Sequence, residues 1–513
     1  MSIVSFWFFV FVATVLLVYY STPFRARWFV LLIASTVFFY LNGGWTLYAM
    51  FIAQTLLAWG GSLLINKYES SKNDKLKNRT ALVVIAVEIA ALVLMKESSF
   101  FIINANIITR LINPSSNISY LGWIAPLGMS YYTLMLISYT TNVLWGKAES
   151  QKNPLKLMLY AGFFLQMVSG PFTCYEKISA QLYEGHKFNL REFQFGLQRL
   201  LWGLFKKLVI AERLAIIVTT IYDGELEGTW TPTGTYIIIG AFAYVFQLYT
   251  DFSGCMDIVL GVAQMFGIKL PENFRTPFYS TNLSEFWRRW HITLGLWLKD
   301  YMMYPVQKAL TTKFGKAAKK KFGRVWGKNV ILYASMLATW FGIGFWHGGS
   351  WKYICASGLF FFVMIVGGLL LEPVFSRLTK LLRIDTEAWS WTLFARLRTA
   401  CLFTLSVSFG RALSLSDGLK MWSRVFELNP WIFVDGSLYR LGLDRLDFWM
   451  MIFGLALIYI ISQYQQKGSV REIVARQNLV FRWVLYLGLF IAVLLFGMYG
   501  EGYNPADFIY GGF

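Results

Sequence analysis

The sequence predicts an all-α polytopic membrane protein, and three observations carry that expectation. Only 15% of the 513 residues are charged and 56% are hydrophobic, whereas an average soluble domain uses roughly 25% charged residues to cover its surface. Apolar runs of about 20 residues, enough to span a bilayer as a helix, recur from Ile3 to the C-terminus. No stretch is both polar enough and long enough to be an independent soluble domain, so a single membrane domain over 1–513 is expected.

The first run, 1–20, has no basic residue ahead of it and no small-residue cleavage pattern behind it, which predicts a retained helix and not a signal peptide. Arg25 and Arg27 follow it. Asn42, Gly43 and Gly44 predict a turn, and Lys67, Lys72, Lys75, Lys77 and Arg79 follow the third helix. Reading basic loops as cytoplasmic places the N-terminus outside. Runs 81–96 and 121–145 each cross once, leaving 97–120 outside with a turn cluster at Asn113, Pro114, Ser115, Ser116 and Asn117. From 155 the spacing becomes irregular. The run 163–171 is too short to cross, and Ser169, Gly170 and Pro171 predict a re-entrant turn, which membrane depth tolerates only where protein buries it or it lines a cavity.

Over 285–301 the pattern predicts one amphipathic helix in the membrane interface. Phe286, Trp290, Leu294, Trp297 and Tyr301 recur every three or four residues, and Arg288, Arg289 and Lys299 fall outside that stripe. A basic loop then carries Lys308, Lys313, Lys316, Lys319, Lys320, Lys321, Arg324 and Lys328 and is expected on the cytoplasmic side. A helix leaving it at Asn329 runs outward to Trp346 and His347. Arg377, Lys380, Arg383, Arg396 and Arg398 mark the next cytoplasmic loop, and Lys467, Arg471, Arg476 and Arg482 the one after. Both 414–447 and the C-terminal 501–513 fall outside. About eleven spans result. The absence of an internal repeat counts against repeat-built transporter folds.

Two of the three histidines sit in apolar, tryptophan-flanked settings 56 residues apart: His291 after Trp290, and His347 between Trp346 and Gly348. A lone histidine in such a setting is ordinarily a hydrogen-bonded structural residue. Two of three, each beside Trp, point to function, because an ionisable side chain inside a membrane segment is a functional candidate. Asp251 and Asp257 interrupt another apolar region and Glu88 a third. They mark either a substrate path or polar bonds between packed helices. Cys174, Cys255, Cys355 and Cys401 form no CxxC pair, so no zinc site and no disulfide framework is expected, and three histidines supply no metal set. The formal charge of +19 is accounted for by membrane orientation without a nucleic-acid partner.

The strings Asp251-Phe-Ser-Gly, Pro271-Glu-Asn-Phe, Phe286-Trp-Arg-Arg-Trp-His291, Trp297-Leu-Lys-Asp-Tyr301 and Phe345-Trp-His-Gly348 together resemble the membrane-bound O-acyltransferase family, most strongly over 160–370. Within it they are most similar to the bacterial branch that O-acetylates alginate and peptidoglycan. The resemblance implies a ring of transmembrane helices, with re-entrant and interfacial elements, around a central funnel or tunnel. It also implies that 160–370 is the catalytic core, that His347 matches the catalytic histidine, and that His291 matches a second signature position often occupied by Asn. Trp287, Trp290, Trp346, Asp300 and Tyr301, from the same signatures, become the candidate substrate-binding residues. After Tyr304-Pro305 the alginate-type Gly-Gly-Asn-Arg element is missing, and the lysine-rich continuation looks more like the transferases that carry D-alanine to teichoic acids.

Acyl transfer from a thioester to a hydroxyl requires a base and a group that stabilises the oxyanion. His347 suits the first task, as general base or transient acyl acceptor, because imidazole is neutral and basic near pH 7. His291 is then expected to orient or stabilise the thioester carbonyl. No bound cofactor is expected. The donor substrate is expected to be acetyl-CoA or an acyl carrier protein thioester from the cytosol; the segment 308–328 either attracts its phosphates or only marks the cytoplasmic side. The expected partners are that donor and membrane lipid, and the resemblance implies a separate extracytoplasmic acetyltransferase that finishes the transfer on the polysaccharide. A rival from another class is an exporter of polysaccharide or lipid-linked precursor, with Glu88, Asp251 and Asp257 as its path.

Overall fold

Two of the longest helical runs are hairpins folded at a glycine. In the computed structural model, which describes residues 1–115, 117–119, 128–167, 170–228 and 230–499, the run Arg27–Ser70 reverses at Gly44 (φ 68°, ψ −177°). Phe39 then meets Tyr48 and Phe51 across the bend, with ring centroids 5.3 and 5.4 Å apart, and Thr36 shares a 2.8 Å hydrogen bond with the Tyr48 hydroxyl. The run Tyr304–Trp346 reverses at Gly323 (φ 79°, ψ 175°). There a Cβ on Gly327 would stand 2.9 Å from the Ala318 backbone, and Gly342 packs against the Met302 side chain, so 304–322 lies antiparallel to 324–346. Both turns need a residue without a Cβ.

The first turn falls where the sequence puts it, at Asn42, Gly43 and Gly44. The second corrects an expectation: the lysine-rich segment is helical on both sides of Gly323 and not a loop. Lysine and alanine are good helix formers, and no proline interrupts 306–346, so the reversal rests on the one glycine. Arg396 and Arg398 likewise stand inside the helix Trp389–Ser408 and not in a loop. Arg398, exposed, donates there to the Thr281 carbonyl at 2.9 Å.

The chain is an all-α polytopic membrane protein, with no strand among the described residues. Among those residues seven helices are long and apolar enough to cross a membrane, and Phe6–Ser21 and Ser98–Ile112 are shorter apolar helices. The expected count of about eleven also took in a crossing at 121–145, of which the helix Met129–Leu144, 16 residues long, is described. The C-terminal segment 501–513, Ser116 and residues 121–127 lie outside the described residues, so the expectations for them stand as they were.

The described chain divides into two compact units, one built from 1–204 and 254–271, the other from 205–253 and 272–499. In the first, Phe164–Met167 is a short, fully buried helix. The chain beyond it is held by side chains: Gln166 donates to the Pro171 carbonyl at 2.9 Å and to Thr173, and the Tyr160 hydroxyl donates to the Thr173 carbonyl at 2.9 Å. Side-chain bonds of this kind hold irregular backbone among the described residues on either side of the expected turn; Ser169, one of its three residues, is outside the described residues. Glu88, fully buried, accepts a 2.7 Å hydrogen bond from Gln54, the helix-to-helix bond that is one of the two readings of its position.

Candidate active site

The second unit holds both signature histidines. The amphipathic stretch 285–301 is not one helix but two short ones, Leu283–Trp287 and Ile292–Leu298, with His291 between them in the left-handed region (φ 46°, ψ 51°). The break has a partner. The Ile292 amide donates to the Asn273 carbonyl, and the Arg275 amide donates to the Arg289 carbonyl, both at 2.9 Å, so the segment 273–275 straps alongside and takes bonds that a continuous helix would make internally. Glu285 steadies the first helix: one carboxylate oxygen meets Arg289 at 2.7 Å, and the other accepts from the Thr281 amide and hydroxyl at 2.9 and 3.1 Å.

His291, 2% exposed, faces the Asn273 side chain, with Nδ1 3.1 Å from Oδ1. That same Oδ1 accepts from the Thr293 amide at 3.1 Å and the Thr293 hydroxyl at 2.9 Å. Phe252 stands edge-on to the imidazole, centroids 4.9 Å apart. Phe252 belongs to Gly234–Met265, next to Asp251, which is itself ion-paired with Lys207 at 2.8 Å. His347, buried, caps the helix ending at Trp346, and its imidazole lies close enough to His291 to act on it electrostatically. The two signature histidines therefore share one buried site.

The backbone around His347 is closely packed. A Cβ on Gly344 would stand 2.7 Å from the Ile354 Cα, and one on Gly358 2.5 Å from the Trp340 carbonyl oxygen. The turn after His347 is tied down by Lys352, which donates to the Gly410 and Ala412 carbonyls at 3.0 and 2.7 Å. Burial first, and then Arg411, pushes the Lys352 ammonium below the ordinary lysine pKa. Replacing Gly344 by Val is expected to cost about 1–3 kcal/mol through overpacking. A lowered unfolding temperature in lipid discs checks this, and an unchanged one would mean that the two segments separate freely.

The candidate substrate-binding residues divide by position. Trp290, 1% exposed, packs against Phe274, Phe286 and Phe403. Trp287 lies half-buried with its ring 5.3 Å from Trp340 and 5.0 Å from Phe361. These contacts pin the short helix Leu283–Trp287 among aromatic side chains. Trp346 is T-shaped against His347 at 5.0 Å. Asp300, exposed, and Tyr301, half-buried, lie on the π-helical segment Lys299–Met303, whose Met302 packs on Gly342, one turn before Trp346. Sequence reasoning assigned no role to Asn273 or Phe252, although both belong to strings singled out for their resemblance.

The carboxylates of the exporter reading are all paired: Glu88 with Gln54, Asp251 with Lys207, and Asp257 with Arg199 at 2.8 Å. Among the described residues no group of three or more His, Cys, Asp or Glu side chains gathers as a metal site.

A sequence model of the membrane-bound O-acyltransferase family matches residues 41–411. Over 516 residues the chain is 26% identical to the probable alginate O-acetylase AlgI of Pseudomonas putida, covering 97% of each chain. It is 27% identical to the peptidoglycan O-acetyltransferase of Helicobacter pylori over 74% of this chain and 72% of that one. It is 26% identical to the teichoic acid D-alanyltransferase of Bacillus subtilis over 44% of this chain and 55% of that one. With a match over most of its length and both signature histidines in one buried site, the chain belongs to the membrane-bound O-acyltransferase family and is a multi-pass membrane acyltransferase.

Proposed function

We propose that the protein takes an acetyl group from a cytosolic thioester, acetyl-CoA or an acyl carrier protein, and delivers it across the membrane for O-acetylation of an exported or cell-wall polysaccharide. The observation that carries this reading is the shared burial of His291 and His347. The similarity to enzymes named for alginate and peptidoglycan O-acetylation supports acetyl as the acyl group and a polysaccharide as the acceptor class. His347 removes the proton of the acceptor hydroxyl as its oxygen bonds to the thioester carbonyl carbon. The tetrahedral oxyanion then collapses, the carbon–sulfur bond breaks, and the imidazolium proton goes to the departing thiolate. Ester and thiol result, and the base is restored.

With basic segments cytoplasmic, both termini lie outside and the helix 324–346 carries His347 toward the outer half of the bilayer. An acyl group then crosses the membrane without movement of a polymer, and a separate extracytoplasmic acetyltransferase receives it. The similarity to teichoic acid D-alanyltransferases and the lysine-rich continuation after Pro305 favour one second reading, with a carrier-borne D-alanyl group as cargo.

The test supplies purified protein in lipid discs with labelled acetyl-CoA, and in parallel with a labelled D-alanyl carrier thioester. Transfer of acetyl label to protein, water or added acceptor, with the D-alanyl donor inert, is expected. The reverse preference would replace acetyl by D-alanyl.

A further inference from the structure

Asn273 is buried, 1% exposed, in a string the catalytic reading leaves without a task. Its amide orientation follows from its neighbours. A backbone N–H only donates, so the amide atom facing the Thr293 N–H at 3.1 Å is the oxygen. The Thr293 hydroxyl approaches the same atom at 2.9 Å. Turning the amide over would set an NH2 group against an N–H. The oxygen so fixed lies 3.1 Å from His291 Nδ1, and two acceptors do not share a hydrogen bond, so Nδ1 carries a proton.

We infer that Asn273 is a positioning residue that holds His291 in the Nδ1–H tautomer, making Nε2 its lone-pair nitrogen and His291 a hydrogen-bond acceptor in the reaction, not an oxyanion donor. This rests on the proposed reading of His291 as a site residue and changes its task. A neutral imidazole has one donor and one acceptor. With the donor committed to Asn273, His291 accepts at Nε2, from the acceptor hydroxyl or from an N–H of His347. Oxyanion stabilisation falls to other groups. The surroundings suit a neutral ring: Phe252 covers one side, His347 is the titratable neighbour, and the Asp251 carboxylate beyond Phe252 is engaged by Lys207. The left-handed backbone at His291 and the Ile292 amide bond to the Asn273 carbonyl fix both partners on one short strap.

The hydrogen bonds that hold the Asn273 side chain run through Oδ1; Nδ2 is buried and makes none with the described residues. Asn273→Asp therefore keeps every one of those bonds and is the clean probe, with Asn273→Leu as the variant that removes the acceptor. The first measurement needs no turnover. With only three histidines in the chain, nitrogen-15 labelling of histidine in lipid discs, assigned by the loss of one signal set in His291→Asn, reads the tautomer directly. The expected pattern is a protonated Nδ1 and a bare Nε2, and a proton on Nε2 in the neutral ring overturns the inference.

The second measurement is the dependence of transfer rate on pH. A carboxylate at 273 favours the imidazolium, which has no lone pair at Nε2, so the acidic limb of the Asn273→Asp profile moves to higher pH and activity returns as pH rises. In Asn273→Leu, kcat falls at least ~10-fold with KM changed less than about 2-fold, because a wrong tautomer affects the chemical step and not binding. An Asn273→Asp profile that superimposes on wild type would also overturn the inference. Failure of every acetyl donor would count against the proposed cargo and leave the tautomer measurement standing.

Discussion

His347→Ala is expected to lose acyl transfer, with turnover falling by ~10²–10⁴-fold, the usual worth of a general base. The variant should fold. His347 ends its helix with its own amide bonded to the Ile343 carbonyl at 3.1 Å, a bond that alanine keeps. The helix packs against the next segment at Gly344 and Gly358, a close backbone approach that the substitution leaves in place. Donor binding should persist, so the loss appears in kcat with KM little changed, the mark of an interaction used in the transition state. The comparison is made in lipid discs between wild type and variant of matched unfolding temperature. Undiminished turnover would remove His347 from the mechanism.

The membrane class was legible because it depends on composition and long apolar runs, which a bilayer leaves no other way to satisfy. His291 and His347 were legible because an imidazole between tryptophans stands out against an apolar background. The 285–301 segment was misread for a physical reason. A 3.6-residue stripe says which residues are buried, and Phe286, Trp290 and Leu294 are buried as it requires, but it does not register a strap from elsewhere in the chain that captures the Ile292 amide. Asn273 acts through a side-chain oxygen 18 residues away from His291, and no local pattern encodes such a pairing. Charge misled in the same way at 308–328, where a cluster of lysines reads as a loop although its intrinsic preference is helical.

Lys207→Met is the substitution with the largest expected cost to stability. Lys207 is buried and bridges two carboxylates, Glu212 at 2.7 Å and Asp251 at 2.8 Å, while its neighbour Lys206, also buried, donates to Ser253 at 2.9 Å. Removing Lys207 takes one positive charge away from Glu212 and Asp251, which stay behind shielded from solvent. Breaking a buried pair from one side costs roughly 3–5 kcal/mol, because the partner stays behind unpaired, whereas replacing both members by neutral groups of similar size is often tolerated. The double variant Lys207→Met with Asp251→Asn restores the formal balance and should recover most of the loss. Unfolding temperatures of wild type, both single variants and the double variant form the cycle. A strongly destabilised Lys207→Met rescued by Asp251→Asn is the expected result, and a single variant as stable as wild type would mean that water reaches the cluster. Activity adds a second reading of the same cycle. Asp251 directly precedes Phe252, whose ring lies against His291, so a helix shifted by the unpaired charge also moves the wall of the imidazole, and the double variant should regain turnover as it regains stability.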